Sequence, residues 1–152
     1  MKITHLSDSD YSIEGLILDE LGSRRFCVFD LEATGPDPDE DFITQIGAVC
    51  LDGDGLARQS FQTLVKSPKP IPPLIEKLTG IRNADLTEAP SFREALDAFR
   101  TYAGDAVLVT QAGYEYDWPL LHKECERNSL PAMTNPILDT KVLFAYLHEV
   151  EE

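Results

Sequence analysis

The sequence predicts an α/β domain whose mixed sheet is an antiparallel three-stranded meander, extended by parallel strands and flanked by helices. Three observations lead to this prediction. Residues 25–67 contain three apolar, partly alternating segments, and strong turn chemistry separates the last two. Residues 69–148 then alternate helical periodicity with two short apolar segments, which is typical of crossover connections. At 152 residues, the chain is long enough to bury the core of one such domain.

The three strands of the meander are predicted from composition and from the turns between them. They cover residues 25–32, 42–52 and 56–67, and the sequence Asp-Gly-Asp-Gly at 52–55 marks the tight turn between the last two. Residues 1–22 are polar and mixed, with a short helix predicted near Ile13–Leu21. They are interpreted as an N-terminal extension to a domain that covers residues 23–152.

Four helices and two parallel strands are predicted after the meander. The helices lie within residues 69–80, 91–104, 118–127 and 140–148, and the strands within residues 106–110 and 137–138. The first helix has proline in its first turn and Gly80 directly after it. The second begins with Ser91 and Glu94 in a capping-box arrangement and ends at Gly104. Asp117 is the predicted N-cap of the third helix.

Composition excludes several classes of protein. Thirteen basic and 27 acidic residues give a net charge of −14, which argues against non-specific binding to nucleic acid, because that depends on clustered Lys and Arg. Cys27, Cys50 and Cys125 are widely spaced and odd in number, so they predict no disulfide framework or zinc site and suit a reducing cytoplasm. No signal-peptide core or membrane-spanning apolar segment is present in the sequence, so a cytoplasmic location without membrane contact is predicted.

Two carboxylates follow the apolar part of the first strand. Asp30 and Glu32 are two residues apart, so on a strand they project from the same face. Two like charges on a buried strand need a cation, and oxygen ligands favour Mg²⁺ or Mn²⁺. The alternative is that the strand frays at Asp30 and both side chains are solvated; the pair alone does not exclude this. The acidic segment 36–41 is predicted to be a surface loop.

Four segments occur in an order and spacing that resemble the DEDD family of 3′–5′ exonucleases, which includes the DnaQ-like and RNase T group. The segments are Asp-Leu-Glu-Ala-Thr-Gly at 30–35, Ile-Thr-Gln-Ile-Gly-Ala-Val at 43–49, Leu-Thr-Gly-Ile at 78–81 and Tyr-Asp-Trp-Pro-Leu-Leu at 116–121. The pair Asp139-Thr140 also fits the family pattern. The resemblance covers residues 25–150 and implies a ribonuclease H-like fold.

The resemblance implies a two-metal-dependent 3′–5′ exonuclease that removes nucleotides from DNA or RNA ends in proofreading, repair or RNA trimming. It implies that Asp30, Glu32 and Asp117 are catalytic and hold two Mg²⁺ or Mn²⁺ ions. It also implies a substrate-binding set, which consists of Thr34, Gly35, Leu78, Gly80 and Tyr116. The implied partners are single-stranded or 3′-end nucleic acid and, among proteins, a polymerase or another replication or repair factor.

The sequence lacks the third motif of the DEDDh branch, which supplies a histidine general base and an aspartate five residues later. His5 lies upstream of the whole fold, His122 is followed at that spacing by Arg127, and His148 has only four residues after it. We therefore expect a fragment of a longer enzyme that lacks its C-terminal part. The alternatives are a degenerate relative, or a non-catalytic module of this fold that binds nucleic-acid ends or a protein partner.

A second departure from the family pattern lies ahead of Asp117. The family often has His-Asn five and four residues before that aspartate, where this chain has Ala112 and Gly113. The details of substrate contact at this position are therefore not predicted by the resemblance. Glu115, in the same segment, is interpreted as a solvated side chain.

Overall fold

The computed structural model describes residues 2–5, 11–14, 23–52, 55, 57 and 60–147. Strands β1 (Lys2–His5) and β2 (Tyr11–Glu14) form a small antiparallel sheet. The remaining elements are β3 (Phe26–Ala33), β4 (Ile43–Leu51), β5 (Phe61–Leu64), α1 (Pro73–Thr79), α2 (Phe92–Ala103), β6 (Val107–Thr110), α3 (Asp117–Arg127), β7 (Ile137–Asp139) and α4 (Thr140–Leu147). A single 3₁₀ turn at Asn83–Leu86 lies between α1 and α2.

The larger sheet has five strands in the order β5-β4-β3-β6-β7. Strand β4 is antiparallel to both β3 and β5, whereas β6 is parallel to both β3 and β7. The predicted meander extended by parallel strands is therefore confirmed. Strand β3 is central and pairs on both sides, so the backbone from which its side chains project has a well-fixed position.

Three local predictions differ from the structure. Ile13 lies in β2 and not in a helix, while residues 15–22 lie outside the described ranges. The third strand of the meander is shorter than predicted, because only Phe61–Leu64 pair continuously with β4. Asp117 is the first residue of α3 and not its N-cap. Its carboxylate accepts a hydrogen bond from Thr110 on β6, which replaces the capping bond that local sequence rules predict.

The largest hydrophobic cluster lies on one face of the five-stranded sheet. Alternate residues of β3, beginning with Cys27 and Phe29, are buried on that face. Phe99 of α2 packs against Phe29, with ring centroids 5.7 Å apart, and Leu121 of α3 belongs to the same buried cluster. The intervening residues of β3 project from the other face, where Val28 is exposed. The fold thus directs the even-numbered residues of β3 away from the core.

The core assignment predicts that substitution by alanine destabilises the protein far more at one leucine than at another on a different helix. Leu96 of α2 is 0% exposed and Leu78 of α1 is 72% exposed. We expect Leu96→Ala to lower the free energy of unfolding by about 2–5 kcal/mol, because it leaves a cavity in the core. The matched variant Leu78→Ala should change it by less than about 0.5 kcal/mol. Urea denaturation measures both, and equal losses would contradict the assignment of α2 to the core.

Candidate active site

Asp30 and Glu32 lie together on the face of β3 that is opposite to the core. Asp30 is exposed and Glu32 is half-buried, so the predicted common face is confirmed, but Asp30 is not buried. The strand does not fray at Asp30, because pairing with β4 continues through Glu32 and Ala33. Burial raises the pKa of Glu32, and the charge of Asp30 raises it further. The two carboxylates therefore repel each other across a short distance along one strand face.

Asp117 adds a third carboxylate beside β3. It is only 7% exposed, and the Thr110 hydroxyl donates to its Oδ2 atom at 3.1 Å. Burial raises the pKa of Asp117 to about 6; the Thr110 hydroxyl and the Leu31 N–H oppose this rise, while the charges of Asp30 and Asp139 reinforce it. Because the Leu31 N–H on β3 donates to its carboxylate, Asp117 lies next to the strand that carries Asp30.

The three carboxylates fit a hard divalent cation by their chemistry. The side-chain charges that raise the pKa of Glu32 and Asp117 are all negative, and a bound cation would offset that repulsion. Among the described residues, no three His, Cys, Asp or Glu side chains already converge in a geometry that could hold a metal ion. The ligand roles of Asp30, Glu32 and Asp117 therefore stay a prediction.

The loop between β6 and α3, residues 111–116, is held by one buried carboxylate. Asp139, at the end of β7, accepts hydrogen bonds from the N–H groups of Ala112 and Tyr114, each at 3.1 Å. It also accepts from the N–H groups of Lys141 (2.9 Å) and Val142 (3.3 Å) in the first turn of α4. Asp139 thus fixes the chain segment that leads directly into Asp117.

The turn after β3 is organised inside the protein. The buried Thr34 hydroxyl donates to Asp41 Oδ1 at 2.8 Å and accepts from the Phe42 N–H at 3.1 Å. A Cβ atom on Gly35 would lie only 2.5 Å from the Asp41 carboxylate, so this position requires glycine. The Tyr116 hydroxyl donates to the Gly35 carbonyl oxygen and joins the turn to the start of α3.

The predicted substrate-binding residues therefore have different surroundings. Burial raises the pKa of Tyr116 to about 12, with further increases from Asp41, Asp117, Glu32 and Asp37, so its hydroxyl remains a donor. Tyr116, Thr34 and Gly35 adjoin the carboxylates. Leu78 and Gly80 lie exposed on and just after α1, and Gly80 ends that helix in the left-handed conformation. Contact of these five residues with a substrate stays a prediction.

Asp41 belongs to the site region but is not identified from the sequence. The sequence predicts that it lies in a surface loop, whereas the structure buries it and pairs it with Lys69 at 2.7 Å. Burial would raise the pKa of Asp41, but hydrogen bonds from Lys69, the Asp37 N–H and Thr34 outweigh burial and lower it. Lys69 is 28 residues away in sequence, so no local pattern predicts the pair.

Arg127 attaches the acidic segment to the C-terminal end of α3. Its guanidinium donates to the carbonyl oxygens of Pro38 (3.0 Å), Asp39 (2.6 Å) and Asp41 (2.6 Å). It also pairs with the buried Glu124 at 2.8 Å. The segment 36–41, predicted to be a solvated surface loop, is therefore anchored to the same helix that begins with Asp117.

The five-stranded mixed sheet, with three carboxylates on β3 and at the start of α3, defines an α/β domain of the ribonuclease H-like class. The family model of the RNase T exonucleases matches residues 27–150. The chain belongs to this exonuclease family, whose members depend in general on divalent metal ions.

Curated relatives support the family assignment. The DNA polymerase III subunit epsilon of Aquifex aeolicus is 36% identical over 122 residues, which is 80% of this chain and 59% of that protein. The PolC-type DNA polymerase III of Latilactobacillus sakei is 32% identical over 128 residues, which is 84% of this chain and 9% of that protein. This chain therefore spans less than two thirds of the length of these relatives.

Solved structures support the fold. The nuclease domain of 3′hExo, a DEDDh family member bound to rAMP, has a TM-score of 0.74 at 18% identity and covers 85% of this chain and 72% of its own. Exonuclease I of E. coli in complex with a dT13 oligonucleotide has a TM-score of 0.68 at 16% identity, covering 84% of this chain and 31% of its own.

Among the described residues, no helix has the length and apolar character of a membrane span.

The environment of Asp117 predicts a pH-dependent stability. Its pKa rises from 3.8 to about 6 on folding, so the folded state holds this proton more tightly, and the resulting stabilisation is lost as the pH rises from about 4 to above 6. In EDTA at pH 7.5, the free energy of unfolding of Asp117→Asn should therefore exceed that of the parent protein by about 1–3 kcal/mol. At pH 4 the two proteins should be equally stable.

Urea denaturation at both pH values measures this difference. The control is Asp105→Asn, whose side chain is 94% exposed and which should show no comparable gain at pH 7.5. If the stability of Asp117→Asn followed the same pH dependence as that of the parent protein, the assignment of a raised pKa to Asp117 would be wrong.

Proposed function

We propose that this chain carries the site of a two-metal-dependent 3′–5′ exonuclease that removes nucleotides from DNA or RNA ends. The observation that supports this function best is that the charge of Asp30 raises the pKa of both Glu32, on the same face of β3, and Asp117, at the start of α3, in a chain of the exonuclease family. Mg²⁺ or Mn²⁺ are the ions that suit these ligands. The domain of this function begins near residue 23, and residues 1–22 are its extension.

The three carboxylates would hold the ions, and bound divalent ions supply charge stabilisation at a phosphate and acidify water. The chain's own residues fix the ligands before a substrate arrives. Asp139 holds the loop ahead of Asp117, and the paired strand β3 holds Asp30 and Glu32. The Tyr116 hydroxyl ties the Gly35 turn to α3, so the two ligand-bearing elements keep their spacing.

The proposed substrate is the 3′ end of a single strand. Among the similar proteins, exonuclease I binds an oligonucleotide, the 3′hExo nuclease domain binds rAMP, and subunit epsilon is a subunit of DNA polymerase III. With a net charge of −14, this chain offers little attraction for a long duplex. A polymerase or another replication or repair factor is the proposed protein partner, and the cytoplasm is the proposed location.

A non-catalytic module of the same fold is the second candidate function. It is favoured by the surroundings of His122, whose Nδ1 lies 2.9 Å from the Trp118 carbonyl oxygen within α3 and whose ring packs on Trp118. His122 therefore packs within its own helix. In this function, the chain would bind nucleic-acid ends or a protein partner without hydrolysis.

Cleavage of a 5′-labelled oligonucleotide tests the leading function. With Mn²⁺, the full-length protein should produce a ladder of products shortened from the 3′ end of single-stranded DNA or RNA. Asp30→Ala should reduce the rate by a factor on the order of 10³, because metal-assisted stabilisation is worth several kcal/mol. The control Asp97→Ala, on the surface of α2 with a side chain 61% exposed, should retain the parent rate.

Two outcomes would contradict this function. Equal rates for the parent and Asp30→Ala would show that the site residues are wrong. If the parent protein cleaved nothing, while calorimetry with the same oligonucleotide showed binding to its 3′ end, the non-catalytic module would be the function.

A further inference from the structure

We propose that Thr110 is a positioning residue for Asp117, and that Gly113 supplies the space that the Thr110 side chain occupies. This role rests on the proposed function, because it concerns how the Asp117 carboxylate is presented to a divalent cation. It involves the pair Ala112-Gly113, at which the sequence departs from the family pattern.

Thr110 is the last residue of β6 and is almost fully buried. Its hydroxyl donates to Asp117 Oδ2 at 3.1 Å, and Asp117 is itself buried. A threonine side chain has few allowed χ1 rotamers, so the hydroxyl direction is set by the strand backbone. A hydrogen bond to a charged acceptor is stronger than a neutral one, particularly away from water. Thr110 therefore restrains the rotation of the Asp117 carboxylate.

Gly113 is required by the position of Thr110. A Cβ atom on Gly113 would lie 2.2 Å from Thr110 Cγ2 and 2.3 Å from Oγ1, which no real pair of atoms could tolerate. Gly113 is not among the residues with positive φ, so the requirement concerns space and not backbone conformation. An asparagine at this position, as in the family pattern, would displace the Thr110 side chain.

The backbone around Gly113 is held on both sides, so it cannot move aside for a larger side chain. The N–H groups of Ala112 and Tyr114 donate to Asp139, and the Trp118 N–H donates to the Gly113 carbonyl oxygen at 2.7 Å. Thr110 and Gly113 are thus complementary in shape. Groups that hydrogen-bond to a metal ligand orient that ligand, and their loss weakens metal binding.

Two substitutions at residue 110 separate positioning from packing. Thr110→Val keeps the shape but removes the hydroxyl, and we expect it to bind Mn²⁺ about tenfold more weakly in calorimetry. Thr110→Ser keeps the hydroxyl, and its Mn²⁺ affinity should stay within about twofold of the parent value. A role in packing alone predicts the reverse, because Thr110→Ser loses a buried methyl group and Thr110→Val loses none. That reverse order would overturn the proposal.

The failure of this proposal can be distinguished from the failure of the proposed function. If the parent protein binds Mn²⁺ and Asp30→Ala does not, the metal site stands, and unchanged affinity in Thr110→Val refutes the role of Thr110 alone. If the parent protein binds no Mn²⁺, the proposed function fails. Crystal structures of the parent and Thr110→Val then decide whether Thr110 orients the Asp117 carboxylate. A reoriented Asp117 carboxylate in the variant supports positioning by Thr110, and an unchanged orientation overturns it.

Discussion

The carboxylate of Asp139 fixes the part of the structure on which the site depends. It is a buried acceptor that receives N–H donors from the loop before α3 and from the first turn of α4, so its charge is well compensated. Because these donors come from two elements, a single side chain sets the end of β7, the start of α4 and the path of the loop relative to one another. The loop thereby positions Asp117, the first residue of α3, beside β3. Contacts within α3 alone would not give Asp117 this position.

This position disfavours the charged form of Asp117, and the surrounding structure keeps Asp117 there. Asp117 is buried near Asp30, and burial together with that negative charge raises its pKa to about 6. The acidic turn beside it is treated differently, because Lys69 and Arg127 compensate Asp41 and the nearby carbonyl oxygens. The protein thus pairs the carboxylate that supports the turn with a lysine, whereas the side-chain charges that act on Glu32 and Asp117 are negative. This contrast is what a cation-binding site requires.

The sequence predicts those features that depend on local spacing. From β3 onwards, periodicity predicts the order of strands and helices, and the two-residue spacing of Asp30 and Glu32 predicts their common face. Contacts between distant residues are not predictable in this way: Arg127 reaches Asp41 across 86 positions, and the acidic segment alone resembles any solvated loop. Local capping rules likewise assign Asp117 to the helix terminus, but a tertiary hydrogen bond from Thr110 determines its orientation.

Under the proposed function, this acidic protein acts on a polyanion and therefore needs a specific source of affinity. Several of its cations are engaged within the chain, since Lys69, Lys123 and Lys141 pair with Asp41, Asp39 and Glu115 at 2.7–2.9 Å. Release of counterions from a long phosphate backbone can therefore contribute little to binding. In the proposed function, the remaining sources would be divalent ions held by carboxylates and uncharged contacts with the terminal nucleotide. Both act only at the end of a strand, so the charge that argues against general nucleic-acid binding is compatible with recognition of an end.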